Sequence, residues 1–396
     1  MFLVPPVSLD SKTDSAWRSA LDENRIDSPI QFAEFMLLKT SRTFALNIQV
    51  LPSGLRKQVL LAYLFCRIAD TLEDDATLER NRKISLLKEF ATLFPPGPHW
   101  ESQLATFIAS LPKEWSQSEK WDPLLVAHCR WIFPLLNQFS ADVIKAISTC
   151  VREMTEGMVQ FTKKQMENSA APVLVETVED LNRYCYYVAG TVGNMLCDLF
   201  AYHSKLISKK RALQLKQLSV SFGLGLQLTN ILKDISDDRQ RNISYIPLSM
   251  LREENLTERA FLEPEGHLAS ARIMAKLIRK TKIHLTDALE YTCLLPRMEP
   301  RLRLFCLWPL FMALETIAML ANNLDGIDGT VKMKISRAQV KKIVRQTSLA
   351  CWSNQWLHAM FQKTMQGLDT QLKRVESSTA TLQPGPNGSV ALGAHS

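Results

Sequence analysis

The hydrophobic residues of this chain recur mostly at intervals of three and four positions, which is the period of an amphipathic helix. Strict alternation of apolar and polar residues, the pattern of a half-buried strand, is nearly absent. Breakers rich in proline, glycine or small polar residues separate the helical segments, at 52–54, 95–98, 168–172 and 325–329. The pattern predicts helices at 12–23, 28–39, 43–51, 54–75, 79–93, 101–110, 123–138, 140–167, 177–202, 206–235, 247–253, 257–292, 299–323 and 336–374. We therefore expect an all-α protein.

The composition agrees with one large packed domain. Of the 396 residues, 46% are hydrophobic, which is ample for a core, and no repeat of solenoid period is present. The chain divides into an N-terminal segment at 1–27, an all-α domain at 28–375 and a tail at 376–396. Because the tail is rich in Ser, Thr, Pro and Gly and has few apolar residues, we expect it to be disordered.

The charge and cysteine patterns argue against several classes of protein. A formal net charge of +7 permits anionic ligands or an anionic membrane surface. No basic motif is interleaved with aromatic residues, so nucleic acid is not an expected partner. The eight cysteines form no CxxC pair and fall mostly within apolar helical patterns. We expect them to be reduced and buried in an intracellular protein, and we do not expect a zinc site.

No secretory or membrane-crossing segment is predicted. The N-terminus lacks the basic region and the long apolar core of a signal peptide. The longest apolar stretch, Leu304–Ala321, is interrupted by Pro309 and Glu315, whereas a spanning helix needs about 20 mostly apolar residues. We interpret this stretch as a buried core helix and expect a cytoplasmic protein.

An acidic group lies near the end of the predicted helix 54–75. At about 100° per residue, Asp70 and Asp74 share one face of that helix, with Glu73 beside them. Arg67 falls on the same side, and most of the intervening residues are apolar. The simple alternative is a solvated face on which Arg67 pairs with an acid, and such surface pairs contribute little.

A second acidic group lies further along the chain. Gln227, Asn230, Asp234 and Asp238 follow one another at steps of three or four. A helix end that meets solvent would explain the acids but not the amides, which lie inside an apolar segment. Two facing helices of this kind suit hard divalent ions, above all Mg²⁺, which in turn bind phosphate oxygens. We therefore predict a diphosphate site between the two acidic groups.

A third segment, Tyr184–Gly193, combines tyrosines with small residues. Ala189, Gly190 and Gly193 remove side chains from one helix. Close packing of two helices is one explanation. The functional hypothesis is that the thinned helix admits a long apolar ligand and places a tyrosine hydroxyl near the reacting carbons. Gly223-Leu-Gly225 has no strand before it, so we interpret it as helix packing and not as a nucleotide loop.

Four motifs occur in the order in which squalene and phytoene synthases carry them: Ser41-Arg-Thr-Phe44, Asp70-Thr-Leu-Glu-Asp-Asp75, Tyr184–Gly193 and Gln227–Asp238. The chain resembles that family over about residues 30–345. Phe305–Ala318 and Val331-Lys-Met-Lys334 look more like squalene synthases, whereas Tyr245-Ile-Pro247 looks like the phytoene group. The resemblance implies a single-domain isoprenoid synthase fold, with helices around a central apolar cavity.

The resemblance also implies roles for individual residues. The expected Mg²⁺ ligands are Asp70, Glu73, Asp74, Asn230, Asp234 and Asp238. The positions expected to bind substrate are Ser41, Arg42, Phe44, Tyr63, Arg67, Gln227, Asn230 and Lys233. The expected catalytic set is Tyr184, which matches a tyrosine with a proton-handling role, together with Asp70, Asp74, Asp234 and Asp238.

The chain departs from the family's pattern on its second acidic helix. Lys233 stands where the family usually has Arg, which keeps the charge but loses the bidentate fork. Ile243 replaces the basic residue that usually precedes the proline-bearing turn, and Arg241 lies two residues earlier. On that side the residues with which the family contacts diphosphate are therefore not all carried over unchanged.

The reaction implied by the resemblance is the head-to-head condensation of two farnesyl diphosphate molecules, through presqualene diphosphate, to squalene. Mg²⁺ and NADPH, as hydride donor, are the implied cofactors. The alternatives are phytoene or dehydrosqualene synthesis without NADPH, a non-catalytic assembly or lipid-binding member of the fold, and a helical scaffold with incidental acidic faces. Because the product is a hydrocarbon, peripheral contact with a membrane surface is expected, the polar tail standing in place of the C-terminal anchor of animal and fungal squalene synthases.

Overall fold

The computed structural model describes residues 11–167, 175–241, 243–324 and 334–380. Within these ranges the chain is helical and contains no β-strand, as predicted. The α-helices are α1 Ser11–Asp22, α2 Pro29–Thr40, α3 Arg42–Gln49, α4 Ser53–Asp74, α5 Arg80–Ala91, α6 Trp100–Ser110, α7 Trp121–Ala127, α8 Phe133–Leu136, α9 Ala141–Glu167, α10 Val178–Cys185, α11 Thr191–His203, α12 Lys209–Gln240, α13 Leu248–Glu253, α14 His267–Leu294, α15 Pro300–Asn322, α16 Arg337–Ala350 and α17 Asn354–Ala380. A π-helical turn, Tyr186–Gly190, joins α10 to α11, and 3₁₀ turns lie at Lys113–Gln117, Cys129–Trp131 and Pro264–Gly266.

Two predicted helices are interrupted or shortened at prolines. The predicted helix 123–138 is split into α7, a 3₁₀ turn and α8, and Pro134, which has no N–H to donate, lies in the first turn of α8. The predicted helix 257–292 begins only at His267, because Pro264 opens a 3₁₀ turn before α14. In both cases the proline is compatible with the start of a helix but not with its interior.

Helix α17 differs from the prediction at both ends. The predicted helix 336–374 is two helices, and the Ser353 hydroxyl between α16 and α17 accepts a hydrogen bond from the Trp356 N–H at 3.3 Å. At the other end α17 continues to Ala380, so the disordered tail predicted from 376 is wrong for residues 376–380. Polar residues can extend a helix that is already nucleated, because each added residue costs little. Residues 381–396 lie outside the described residues, as do the predicted breakers at 168–172 and 325–329.

Residues 11–27 of the predicted N-terminal segment 1–27 pack into the same core as the rest of the chain. Trp17 of α1 stacks on Phe35 of α2 with ring centroids 5.1 Å apart, and Phe35 meets Trp121 of α7 edge to face at 5.0 Å. Buried apolar side chains from α1 to α17 form one continuous cluster. The predicted boundary at residue 27 is therefore not a break in packing.

Helix α15 is packed inside the protein against α12, α14 and α17. Among the described residues it is the helix long and apolar enough to cross a membrane, but 72% of its most apolar stretch is buried in the protein itself. This burial agrees with the interpretation of Leu304–Ala321 as a core helix. The eight cysteines also follow the prediction, since all are free, seven are buried and Cys293 is half-buried.

Glycines allow α11 and the π turn before it to approach α12 closely. A Cβ atom at Gly193 would lie 2.0 Å from the carbonyl oxygen of Ser219, and one at Gly223 would lie 2.2 Å from that of Ala189. Neither distance is compatible with a side chain, so both positions require glycine. The explanation of these glycines by close helix packing is confirmed.

Gly193→Ala is expected to destabilise the protein, because the added methyl group would push against the backbone of α12. The free energy of unfolding, measured in urea, should fall by about 1–3 kcal/mol, the usual cost of overpacking. Gly367→Ala is the matched control, because Gly367 lies within α17 and its Cβ position has no atom within 4 Å. That variant should be neutral or more stable by up to about 1 kcal/mol, and equal stabilities for the two variants would contradict the close contact.

Candidate active site

A cavity of about 660 Å³ lies among the helices, with walls from α4, α11, α12 and α15. The apolar part of its wall includes Ile48, Val59, Met154, Val192, Phe200, Phe222, Leu226, Phe305 and Pro309. The polar part includes Asn47, Tyr63, Arg67, Asp70, Glu73, Asp74, Tyr184, Gln227, Asn230, Asp234, Asp237, Asp238, Arg241 and Tyr245. The acids come from the last turns of α4 and the C-terminal part of α12, so the polar end of the cavity lies where these helix ends meet. The predicted arrangement of helices around a central apolar cavity is confirmed.

The two acidic groups come together at this polar end. One guanidinium joins them: Arg241 Nη1 lies 3.5 Å from Asp74 Oδ1 on α4, and Nη2 donates a hydrogen bond to Asp238 on α12. All six predicted metal-binding residues line the same cavity. Acidic faces that were incidental to the fold would point in unrelated directions, so the convergence argues for a shared ligand.

The carboxylates are held in an unfavourable electrostatic environment. Burial raises the pKa of Asp70 to about 6. The positive charge of Arg67 opposes this rise, and the negative charge of Asp74 adds to it. Burial and the neighbouring acids also raise the pKa of Glu73 well above its usual value, and burial raises that of Asp238 despite its ion pair. Asp70 keeps 35% of its side-chain surface accessible, and that surface opens into the cavity. The fixed cations therefore do not fully compensate the acids, which is the deficit that a bound divalent ion would relieve.

Arg67 is fixed by neighbours on two helices. Its Nε donates a hydrogen bond to the Tyr63 hydroxyl at 3.2 Å and lies 3.9 Å from Asp122 of α7, while Nη1 lies 3.9 Å from Asp70. Burial alone would lower the pKa of Arg67, but Asp70 and Tyr63 raise it above its already high usual value, so the guanidinium stays charged. Asp122 was not predicted, because it stands alone on a short helix and the sequence gives no sign that it meets Arg67.

Two tyrosine hydroxyls meet beside the acids. The hydroxyl oxygens of Tyr184 and Tyr245 are 2.9 Å apart, and their ring centroids are 4.8 Å apart. Burial, and then the negative charge of Glu73, raise the pKa of both hydroxyls well above the usual value. Both are therefore neutral phenols at neutral pH, able to donate or relay a proton. Tyr184 was predicted as a site residue, whereas its partner Tyr245 was noticed only for the motif that contains it.

The aromatic and amide residues predicted to bind substrate lie on the cavity wall. Phe44, Tyr63 and Gln227 line it, and the ring of Phe44 lies 5.3 Å from that of Tyr63. Ser41 has a local structural role, because its hydroxyl caps α3 by accepting a hydrogen bond from the Phe44 N–H at 3.2 Å. It is not among the residues that line the cavity.

The basic residues predicted to contact diphosphate have different positions. Arg42 begins α3, but its side chain lies outside what the structure describes. Lys233 pairs with both carboxylate oxygens of Asp234 and is not a lining residue. Arg241 lines the cavity and bridges the acidic groups. The signal that could have assigned it is its spacing, since it follows Asp238 by three residues on one helix face.

The chemistry of the donor atoms fits a hard divalent cation. The six predicted ligands offer only carboxylate and amide oxygens, which Mg²⁺ prefers. No group of three His, Cys, Asp or Glu side chains within the described part of the chain is close enough to hold an ion by itself. Mg²⁺ usually takes one or two carboxylates and completes its shell with water and phosphate oxygens. The site therefore fits ions held jointly by the protein and a diphosphate better than a permanent metal centre.

Comparison with known proteins agrees with the resemblance that the sequence motifs indicate. The squalene/phytoene synthase family profile matches residues 37–339. Squalene synthase of Schizosaccharomyces pombe is 34% identical over 318 residues, which are 80% of this chain and 65% of that protein. Squalene synthase of Nicotiana benthamiana is 31% identical over 323 residues, 80% of this chain and 70% of that protein. The chain thus spans just under two thirds of the length of the first relative.

A solved structure shares the fold. The complex of TcSQS with the ligand E5700 superposes with a TM-score of 0.68 at 22% sequence identity, covering 89% of this chain and 99% of that chain. At this identity the likeness shows a common all-α architecture.

Asp70→Asn is expected to raise the melting temperature of the metal-free protein. The pKa of Asp70 is about 6 in the folded state against 3.8 ordinarily, so the folded protein binds the proton more tightly and its stability falls as the pH rises from about 4 to about 6. Asparagine has nearly the same shape as aspartate but no charge, so Asp70→Asn removes this loss of stability. The gain should therefore be absent near pH 4 and complete above pH 6 when thermal unfolding is followed by circular dichroism in EDTA.

Asp369→Asn is the control for this prediction. The carboxylate of Asp369 on α17 pairs with Lys282 at 2.5 Å, away from the cavity, so its neutralisation should bring no gain in melting temperature. A melting temperature of Asp70→Asn at or below that of the wild type at pH 7 would contradict the electrostatic assignment.

Proposed function

The chain belongs to the squalene/phytoene synthase family, and we propose that it joins two farnesyl diphosphate molecules head to head and converts the product to squalene. The observation that carries the proposal is the meeting of two acidic groups, bridged by Arg241, at one end of an apolar cavity. The relatives named above are squalene synthases, which favours farnesyl diphosphate as the substrate.

Management of the diphosphate charge is the first task of such a site. Arg67 and Arg241 supply fixed cations on the wall where the acids meet. Asp70, Asp74 and the second acidic group would hold Mg²⁺, which when bound supplies Lewis-acid stabilisation to the departing diphosphate. The acids therefore act as ligands, and the two arginines complete a positively charged surface around an anion.

Exclusion of water is the second task. Breaking the carbon–oxygen bond of the first substrate leaves an allylic cation, and apolar residues such as Phe222, Leu226 and Phe305 shield it from water. The double bond of the second substrate attacks this cation, and loss of a proton closes the cyclopropane ring of presqualene diphosphate. The neutral Tyr184 hydroxyl, hydrogen-bonded to Tyr245, is suited to relay that proton.

NADPH and a membrane surface complete the proposal. NADPH would deliver a hydride to the rearranged cation, on the strength of the likeness to squalene synthases. A dinucleotide fingerprint does not support it, because Gly223 and Gly225 lie within α12 and pack against Ala189 and Leu285. Peripheral contact with a bilayer is proposed because the product is a hydrocarbon.

The reaction is tested by incubating the full chain with farnesyl diphosphate and Mg²⁺, with and without NADPH, and identifying the products. Squalene should form only when NADPH is present, and geranylgeranyl diphosphate should be a poor substrate. Dehydrosqualene regardless of NADPH, or phytoene from geranylgeranyl diphosphate, would replace this proposal with the reaction of the phytoene group, which Tyr245-Ile-Pro247 resembles. Absence of any Mg²⁺-dependent product would overturn the enzymatic proposal in favour of a binding or assembly role.

The metal assignment is tested with Asp70→Ala and Asp234→Ala. Each variant should lose about 10²-fold or more of turnover, the cost of removing one electrostatic contributor to a transition state, while its helical circular dichroism stays unchanged. Mg²⁺ with inorganic diphosphate should raise the melting temperature of the wild type but not of either variant, because a ligand stabilises only the state that binds it.

Asp75→Ala is the matched control for the metal assignment. Asp75 belongs to the same acidic run, but its carboxylate accepts a hydrogen bond from the Thr77 N–H at 2.8 Å and does not line the cavity. Its turnover should stay near that of the wild type. Diphosphate release that is undiminished in Asp70→Ala and Asp234→Ala would refute the assignment.

A further inference from the structure

Most of the exposed large hydrophobic side chains lie at one end of the helix bundle. Of the ten in the described residues, seven belong to the ends of α11 and α14–α17, to the start of α12 or to the turns between them: Tyr202, Leu206, Leu213, Met298, Leu349, Trp352 and Trp356. We call this surface the apolar end. Helix α12 begins there at Lys209 and reaches Asp234 after 25 residues, which is about 37 Å at 1.5 Å per residue. The apolar end and the acidic groups therefore lie at opposite ends of the protein.

Hydrogen bonds between the helix ends hold these segments together. Ser204, in the turn between α11 and α12, donates to Glu299 in the turn before α15 at 2.9 Å. Asn354, the first residue of α17, accepts a hydrogen bond from Arg303 of α15 at 2.5 Å and donates one to the carbonyl of Cys293 of α14 at 3.2 Å. The turns that carry Leu206, Met298 and Trp352 are thus tied into a single surface.

Basic residues surround the apolar side chains. Exposed cations on the same segments are Lys205, Lys209, Lys210, Arg297, Arg301 and Arg345. No Asp or Glu occurs at 201–213 or at 345–358, and Glu299 between Arg297 and Arg301 is half-buried and bonded to Ser204. Glu290, near the end of α14, is also exposed and lies 3.7 Å from His358 of α17. Six exposed cations against these two acids leave the apolar end with an excess of positive charge.

We propose that the apolar end docks onto an anionic lipid bilayer. Tryptophan and tyrosine favour the headgroup level of a membrane, and lysine and arginine bind anionic headgroups there. Trp352, in the turn before α17, and Trp356, in its first turn, are each 48% exposed, which is costly in water and useful at such an interface. The positive charge argues against a second copy of this chain as the binding partner, because two copies would bring their exposed Lys and Arg side chains together.

The position of the cavity gives the docking a purpose. The cavity residues Phe200, Tyr291 and Phe305 lie within a few positions of the apolar end on α11, α14 and α15. A docked molecule would turn its acidic groups toward water, where a diphosphate substrate is dissolved, and hold the apolar part of its cavity near lipid. This consequence rests on the proposed function, whereas the docking itself does not.

Cosedimentation of the full chain with vesicles tests the proposal without any substrate. The protein should bind vesicles of phosphatidylcholine and phosphatidylserine, bind phosphatidylcholine alone weakly, and lose binding as salt is raised. Lys209→Glu/Lys210→Glu should weaken the partition at least tenfold, because each cation near an anionic surface contributes about fivefold. Lys88→Glu/Lys113→Glu makes the same change in net charge on elements outside the apolar end and should leave binding unchanged.

The apolar contribution is tested separately. Trp352→Ala/Trp356→Ala should also weaken binding, whereas Leu268→Ala, with the same 48% exposure at the start of α14, should not. Absence of binding to anionic vesicles, or equal losses in test and control variants, would overturn the proposal. So would a dimer that forms through the two tryptophans while vesicles stay unbound. Vesicle binding by a protein that makes no squalene would leave the docking intact and overturn the proposed function instead.

Discussion

The repulsion between carboxylates that the fold has gathered around one cavity is the constraint on which the rest of this structure depends. Asp70, Glu73 and Asp238 all have raised pKa values because they are buried beside other acids. Helices α4 and α12 can present them because many of their other residues are buried in the core. The core thus contributes the free energy that keeps the acids together until a cationic ligand relieves them.

The cations of the site compensate only part of the negative charge of these acids. Arg241 touches both acidic groups, and Arg67 is held by Tyr63, Asp70 and Asp122. Neither neutralises the acids, and both remain charged when an anion arrives. Surplus negative charge beside two fixed arginines suits the proposed ligand, which brings metal and phosphate together, because either one alone would leave charge uncompensated.

The features that the sequence predicts correctly are those set by residues close together in the chain. The spacing of acids on α4 and α12 predicted which side chains share a face, and apolar surroundings predicted that these faces meet inside the protein. Contacts between distant segments were not predicted, such as those of Asp122 with Arg67 and of Tyr245 with Tyr184. The helix breaks at Pro134, Pro264 and Ser353 had local signals, which a strong apolar period masked.

Gly193 has the backbone of α12 on one side and lines the cavity on the other. A side chain placed there to shorten the chamber would also separate two packed helices. The length of the cavity is therefore hard to change at this position. The length of the cavity can change more readily at Phe222 or Leu226, where a side chain of another size can be accommodated while the main chain stays in place.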